Sequence, residues 1–393
     1  MSRRARLLAG AAVALVAVGV WAAVTRRATG DGADARDAVQ ASLAVSAALG
    51  AGDLAGYARA LAPRPFVFPA DAGPHPDFRT EWWYYTGNLQ TADGRHFGFQ
   101  LTFFRTALAP PGPAVPRASA WAARQLYLAH FALTDTAGRR FHAWSRLGRE
   151  ALGLAGARAE PFRVWVDDWS AEGERAGGVT VRLRASEAAD AAIDLVLRSE
   201  KPVVPQGDGG LSRKGPEPGN ASYYYSLTRM SVRGTVRAGG EPIAVSGLAW
   251  MDREWSTSAL GPELVGWDWV ALQFDDGRDL MVYRLRRRDG TADPHSAGAV
   301  IAADGTARPL GPDEAALATL GHWTSPRSGV RYPSRWRLAV PAAGLDLDLV
   351  PRLPDQELLV GTRYWEGAVR VEGTAAGRPV AGRGYVELVG YGE

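Results

Sequence analysis

The chain has no cysteine among its 393 residues. Disulfide bonds and a lipid-modified cysteine are therefore excluded, and an exported form of the protein would have to rest on its hydrophobic core. Lysine is almost absent too, since only Lys201 and Lys214 occur among the 45 basic residues, and the formal net charge is +3. So small a net charge for this length argues against a nucleic-acid partner.

The usual catalytic signatures are also missing. The sequence contains no Gly-x-Ser-x-Gly, no His-Glu-x-x-His and no P-loop, and its six histidines show no ligand spacing. We therefore expect no metal and no cofactor. His130 alternates with Leu126 and Leu128 along one segment, which favours a buried, hydrogen-bonded core histidine.

A long uncharged run lies near the N-terminus. Residues 7–25 are flanked by arginines on both sides, which predicts that residues 1–27 are an export signal, either cleaved or kept as a membrane anchor. The protein would then be periplasmic or otherwise extracytoplasmic, with residues 7–25 as its membrane contact. Residues 28–62 show helical spacing and predict a short helical spacer, which either stands the rest of the chain off the membrane or docks onto it.

From residue 63 onwards the pattern is typical of β-structure. The segment 79–105, RTEWWYYTGNLQTADGRHFGFQLTFFR, has an aromatic run, a turn at Asp93-Gly94 and an alternating strand, which together predict a β-hairpin. Its features recur in the segment 249–290, where Leu89 corresponds to Leu272, an offset of 183 residues. The recurrence indicates two duplicated halves. Between the hairpins, the polar segment 205–219 predicts a mobile loop.

Carboxylates set among aromatic residues are the candidate functional groups. Aromatic side chains supply flat apolar surface for a ligand pocket, and packing in the core is the alternative for any one of them. The predicted ligand-binding residues are Trp82, Trp83, Tyr85, Tyr223, Tyr225, Trp250, Trp267 and Trp269. The charged candidates are Glu81, Asp252, Arg253, Glu254 and Asp268.

Several strings of the sequence resemble the lipocalin-like AttH and carotenoid 1,2-hydratase family. They are EWWYYTGNL, FGFQLTFFR, PFRVWVDDW, GLAWMDREW, GWDW, YWEGAV and GYVELVGY. The resemblance implies an all-β fold of two tandem lipocalin-like (calycin) antiparallel β-barrels, with the first domain at 63–256 and the second at 257–393. Such barrels hold apolar small molecules inside a barrel or between barrels.

The resemblance leaves the function open between three classes. Many members of the family are exported proteins found beside transporter components, which implies a carrier that binds a lipid or isoprenoid in the cell envelope, alongside an ABC-type transporter. One branch adds water to the terminal double bond of carotenoids, which implies a hydro-lyase. A hydrolase is the third class, and no residue pattern in this sequence supports it.

Asp252 is the candidate catalytic acid of the hydro-lyase. The matching stretch of the hydratase branch resembles Tyr-Trp-Asp-His-Asn, and its aspartate aligns with Asp252. A carboxyl in an apolar wall tends to stay protonated, as alkene protonation requires. Arg253 replaces the histidine, however, and a neighbouring guanidinium is expected to lower the pKa of Asp252. This substitution favours the alternative that Asp252, Arg253 and Glu254 form an ion-paired girdle between the barrels.

Overall fold

The computed structural model describes residues 54–112, 123–173, 180–188, 190–257, 260–261 and 263–392. The predicted signal and most of the predicted spacer lie outside these ranges. In the described ranges, helical structure is limited to two 3-10 turns, Ala70–Ala72 and Pro341–Ala343. None of the described helical segments has the length and apolar character needed to span a membrane.

Twenty-three strands account for most of the described residues. They are β1 (Thr80–Gln90), β2 (His96–Ala107), β3 (Gln125–Asp135), β4 (Arg140–Arg149), β5 (Ala155–Ala159), β6 (Phe162–Val166), β7 (Trp169–Gly173), β8 (Thr180–Glu187), β9 (Ala191–Ser199), β10 (Val204–Pro205), β11 (Leu211–Arg213), β12 (Ala221–Ala238), β13 (Ile243–Ser256), β14 (Leu264–Phe274), β15 (Asp279–Arg287), β16 (Ala297–Ile301), β17 (Ala307–Leu310), β18 (Ala316–Thr324), β19 (Arg331–Val340), β20 (Leu345–Pro351), β21 (Glu357–Leu359), β22 (Arg363–Ala375) and β23 (Arg378–Val389).

The strands form two antiparallel sheets. The first has the order β4-β3-β2-β1-β13-β12-β9-β8-β7-β6-β5, with β10 and β11 paired to β12. The second has the order β17-β16-β15-β14-β23-β22-β20-β19-β18, with β21 paired to β22. Both sheets are barrel-like, one nearly closed and the other a half-barrel. The predicted all-β fold of tandem lipocalin-like barrels is confirmed.

The two sheets repeat one strand order, which supports the duplication inferred from the sequence. The order β4-β3-β2-β1-β13-β12-β9 maps onto β17-β16-β15-β14-β23-β22-β20, and a short strand pairs with β12 in one sheet and with β22 in the other. The two predicted hairpins are β1–β2 and β14–β15. Gly94 and Gly277 occupy equivalent turn positions with φ of +86° and +88°, a conformation that glycine adopts without steric cost.

Both faces of the β1–β2 hairpin are buried, which explains why this segment is so aromatic. Side chains alternate between the faces of a strand. Trp83 and Tyr85 belong to the core inside the first barrel, whereas Tyr84 belongs to a separate core in which it packs with Trp269 of the second sheet. The face with Trp83 and Tyr85 packs into the core of the first barrel, and the face with Tyr84 packs against the second sheet.

Two sequence expectations fail in the described residues. Residues 54–62, the described end of the predicted helical spacer, contain no helix. Their polar groups bond to the first barrel instead: Ala58 N donates to Asp77 O at 2.9 Å, and the Tyr57 hydroxyl donates to Ala107 O at 3.1 Å. This end of the spacer therefore docks, as the stated alternative has it. The segment 205–219 is not a plain loop either, because it contains β11, whose backbone pairs with β12.

Candidate functional site

A cavity of about 140 Å³ lies between the two sheets. One face of β1, β2, β12 and β13 forms its first side, and β14, β15, β22 and β23 form the second side. The aromatic lining residues are Trp82, Tyr84, Phe104, Tyr224, Trp267, Trp269, Tyr283 and Tyr364. The charged or titratable lining groups are Lys214, Asp252, Glu254, Glu366 and Glu387. Four carboxyl groups thus lie among eight aromatic rings.

Asp252 is buried in the wall of this cavity and is held by uncharged donors. The Tyr224 hydroxyl donates to Oδ2 at 2.6 Å, and the Ser226 hydroxyl and the Trp250 indole donate to Oδ1 at 2.5 and 2.7 Å. Burial raises the pKa of Asp252 to about 7, against the effect of these three hydrogen bonds, and the nearby Glu254 raises it further. Near neutral pH the carboxyl can therefore both give up and take back a proton.

Arg253 does not act on Asp252, because adjacent residues of a strand point to opposite faces. Its guanidinium lies inside the first barrel, where it pairs with Glu81 and sits 4.0 Å from the centroid of the Trp83 ring. Glu81 also pairs with Arg105, and all three charged side chains are buried. The expectation that Arg253 lowers the pKa of Asp252 is wrong.

The predicted girdle of Asp252, Arg253 and Glu254 is wrong for the same reason. An ionic tie between the sheets exists elsewhere. The carboxylate of Asp279 in β15 pairs with two cations of the first sheet and its loops. Its Oδ2 lies 2.7 Å from Lys201 Nζ, and its Oδ1 lies 2.8 Å from Nη2 of Arg229 in β12. Asp252 therefore faces the cavity and, within the described ranges, takes no part in an ion pair between the two sheets.

Glu254 and Lys214 form a salt bridge in the cavity wall. Lys214 Nζ lies 3.3 Å from Glu254 Oε1, and the Ser222 hydroxyl donates to the same oxygen. Burial lowers the pKa of Lys214, but Glu254, Tyr283 and Asp252 together more than offset this, so the pKa is above its ordinary value. The ammonium also lies 4.4 Å from the centroid of the Tyr283 ring. This part of the wall carries both signs of charge.

Glu366 and Glu387 form a second carboxyl pair, on the side of the second sheet. They are directly opposite each other on β22 and β23. Burial raises the pKa of Glu366 well above its ordinary value, and Glu387 adds to the effect. Burial also raises the pKa of Glu387, although the Trp267 indole donates to its Oε2 at 2.7 Å. At neutral pH this pair holds at least one proton, because two buried like charges so close together are unfavourable.

The structure divides the predicted ligand-binding residues between two places. Trp82, Trp267 and Trp269 line the cavity. Trp250 packs edge-on against Trp269 at 6.2 Å and supports Asp252. Inside the first barrel are Trp83, Tyr85, Tyr223 and Tyr225. Of these, Tyr85 and Tyr225 border a smaller cavity of about 100 Å³.

The charged candidates are divided in the same way. Asp252 and Glu254 line the cavity, whereas Glu81 and Arg253 lie inside the first barrel. Asp268 is on the opposite face of β14 from its neighbours Trp267 and Trp269, where Arg284 bonds to it at 2.6 Å. His130 is buried with its Nδ1 2.8 Å from the Tyr364 hydroxyl, as expected for a core histidine.

Sequence reasoning missed several residues of the cavity. Glu366 and Glu387 stand in the strings YWEGAV and GYVELVGY, each with a tyrosine two residues before the glutamate. This is the same carboxylate-among-aromatics signal that singled out Glu81, so they could have been found. Lys214 could not, because it lies in the polar segment 205–219, which the sequence pattern predicts to be a mobile loop.

Known proteins share this architecture. The profile of the AttH-like family matches residues 59–391. An AttH protein of Nitrosomonas europaea is 39% identical, over 84% of this chain and 100% of that chain, with a TM-score of 0.73. Kievitone hydratase of Nectria haematococca is 17% identical over 86% and 97% of the two chains, with a TM-score of 0.63.

A third solved structure, CghA with Sch210972, is 18% identical over 85% and 96% of the two chains, with a TM-score of 0.50. At these identities the last two comparisons show a common fold. No curated protein matches the chain. The extent of the profile match and the identity to the Nitrosomonas protein show that this chain belongs to the AttH-like family.

Proposed function

We propose that the protein is a hydro-lyase that adds water to a carbon–carbon double bond of an apolar or amphipathic small molecule, with Asp252 as the acid. One observation carries the proposal: a buried carboxyl, free of any ion pair with the described residues and with its pKa raised to about 7, faces an aromatic cavity. A protonated carboxyl in apolar surroundings is the group that alkene protonation requires.

The reaction requires Asp252 to donate one proton to the alkene and to take one proton back from water. The Asp252 O–H bond breaks as a C–H bond forms at one alkene carbon, which leaves a cation at the other carbon. Aromatic faces such as those of Trp82 and Trp269 stabilise that cation. A water oxygen then bonds to the cation and gives its proton back to the Asp252 carboxylate, which Tyr224 and Ser226 stabilise meanwhile.

The fold of kievitone hydratase supports this assignment, since a protein named as a hydratase shares both sheets with this chain. At 17% identity the comparison shows a common architecture. The residues of this chain supply the remainder of the argument: the acid, the aromatic walls and the donors that hold the conjugate base.

Incubation with small alkenes in isotope-labelled water tests the proposal. We expect wild-type protein to incorporate the labelled oxygen, and Asp252→Asn to lower the rate about 100-fold or more. The rate should also fall as pH rises through about 7, because the acid becomes ionised. Asp346→Asn is the control, because this carboxylate is in an ion pair with Arg337 in which both side chains are about half exposed. Equal rates for wild type and Asp252→Asn would refute the assignment.

A carrier of an apolar or amphipathic molecule is the second candidate function. The eight aromatic rings of the cavity favour it, since such walls bind apolar ligands without any chemistry. Extraction of the purified protein with organic solvent separates the two functions. A single unaltered lipid or isoprenoid, together with no incorporation of labelled oxygen, would favour the carrier. We propose, from the family resemblance alone, that such a carrier would work together with an envelope transporter.

A further inference from the structure

Three buried oxygen atoms in the wall of the cavity have no hydrogen-bond partner among the described residues. They are Oε1 and Oε2 of Glu366 and the hydroxyl of Tyr84. The Tyr84 hydroxyl lies close enough to Glu366 to lower the pKa of that carboxyl as a hydrogen-bond donor does, but the geometry of the two groups falls outside that of a formed hydrogen bond. Buried polar groups are nearly always paired, so an unpaired set facing a cavity indicates a ligand group.

Other titratable groups of the same cavity already have partners. Asp252 accepts three hydrogen bonds, Glu254 pairs with Lys214, and Glu387 accepts the Trp267 indole. The Tyr283 hydroxyl is bonded to Ser212 at 3.0 Å. The unpaired oxygens are thus confined to Glu366 and Tyr84, a specific patch of the wall.

The chemical state of the patch restricts what it can bind. Glu366 is held protonated by burial and by the neighbouring Glu387, so it offers one hydroxyl donor and one carbonyl acceptor. Tyr84 offers a second donor. Two donors and one acceptor without net charge match a carbonyl or hydroxyl oxygen. A carboxylate or phosphate ligand at this patch would lie beside Glu387, whereas the described cation of the cavity wall, Lys214, is already paired with Glu254.

We propose that Glu366 and Tyr84 bind an uncharged oxygen of the substrate, so that the substrates are unsaturated ketones or alcohols rather than hydrocarbons. The inference rests on the proposed function for the position of the double bond at Asp252. Asp252 and Glu254 act electrostatically on Glu387 across the cavity, so a molecule of modest length reaches both sides. The double bond lies at Asp252 of the first sheet, and the oxygen lies between Tyr84, which is opposite Asp252 on β1, and Glu366 of the second sheet.

Two matched probes test the inference on the wild-type protein without any variant. The ketone 6-methylhept-5-en-2-one and the alkene 2-methylhept-2-ene carry the same trisubstituted double bond and differ by one carbonyl oxygen. Binding is followed by tryptophan fluorescence, since Trp82, Trp267 and Trp269 line the cavity. We expect the ketone to bind about tenfold more tightly, the gain of one or two hydrogen bonds to buried partners. Equal affinities would overturn the inference and show that water satisfies these oxygens.

Variants then locate the preference. Tyr84→Phe and Glu366→Leu should each reduce the preference for the ketone, and Glu366→Gln should retain part of it because an amide also donates and accepts. Tyr283→Phe is the matched control, since this hydroxyl already has a partner, and it should keep the full preference. A preference that survives Tyr84→Phe and Glu366→Leu in folded protein would contradict the assignment of the patch.

The outcome is separable from that of the proposed function. Asp252→Asn should abolish hydration and leave the preference for the ketone unchanged. Hydration of the alkene as fast as that of the ketone would refute the oxygen site and leave the hydro-lyase standing. A clear preference for the ketone with no hydration by the wild type would refute the hydro-lyase and leave the oxygen site standing.

Discussion

At the scale of the residue, neighbours in the sequence have unlike surroundings. Asp252 and Arg253 are joined by one peptide bond, yet one faces a cavity of aromatic rings and the other fills the first barrel. The Arg253 guanidinium, which the sequence predicts to lower the pKa of Asp252, is paired with Glu81 instead. Its removal from the cavity side allows burial to govern the pKa of Asp252.

The titration of Asp252 predicts how its replacement changes stability with pH. Its pKa is about 7 in the folded protein, above the ordinary value of 3.8. The contribution of Asp252 to stability is thus fully present below about pH 4 and is lost as pH rises through about 7, at most about 4 kcal/mol in total. Asp252→Asn does not titrate, so its melting temperature relative to wild type should rise between pH 5 and pH 8. A difference that stays constant or falls would show an ionised, stabilised carboxylate.

Replacement of Glu81 should have the opposite character. This carboxylate is fully buried between Arg105 and Arg253, and Glu81→Gln leaves both guanidinium groups without their counter-ion. We expect a loss of about 3–5 kcal/mol in the free energy of unfolding, measured by denaturant titration. Glu172→Gln, which removes a partner of Arg163 whose side chain is 34% exposed, should cost less than about 1 kcal/mol. Comparable losses would mean that the buried cluster contributes little.

At the scale of the element, the sequence predicts the strands and turns but not which face of a strand borders the cavity. The hairpins, their turns and the duplication follow from pattern, because Asp-Gly turns and alternating aromatics are local signals. The side of a strand that borders a cavity does not follow. Both faces of β1 are apolar, so Trp82 and Trp83 looked equivalent, and half of the predicted ligand-binding residues belong to the barrel core instead.

The contact between the sheets depends on a glycine of β2. A Cβ atom at Gly98 would lie 2.6 Å from the Tyr385 hydroxyl and 2.9 Å from the Ala368 Cβ, both in the second sheet. Gly98→Ala should therefore lower the free energy of unfolding by about 1–3 kcal/mol, since overpacking forces the sheets apart. In Gly321→Ala the nearest atom would be 3.7 Å away, an ordinary contact, so calorimetry of this strand variant is the control. A smaller loss for Gly98→Ala than for Gly321→Ala would contradict the close packing.

At the scale of the whole molecule, export remains a prediction from residues 1–27. A reporter enzyme that is active only outside the cytoplasm should work when fused after residue 62, because the arginine-flanked apolar run directs the chain outward. The same reporter fused to a chain that starts at residue 28 serves as the control and should be inactive. Activity of a cytoplasm-only reporter at the first junction would exclude export.

The family resemblance was enough to predict the fold. The site could not be predicted in this way, because it is formed by residues that come together only when the two sheets pack. No local pattern brings Asp252 of β13 to the same cavity as Glu366 of β22, since the two residues belong to different halves of the chain. Lys214 lies in the cavity wall because it directly follows β11, a strand of three residues in a segment whose composition predicts a loop. Such placements follow from tertiary packing, which overrides local propensity.

The repeated strand order gives the contact between the halves a pseudo-twofold character. Asn88 of β1 donates to Gly384 O of β23, and Gln273 of β14, the strand equivalent to β1, donates to Ala249 O of β13, the strand equivalent to β23. A dimer of two identical chains would present identical groups from both sides of such an axis. Because one chain holds both copies, the two sides can differ: the Glu254–Lys214 ion pair lies on one side, and the Glu366–Glu387 pair, which shares at least one proton, lies on the other. A ligand in the cavity would therefore meet two chemically different sides, which would favour a single binding orientation.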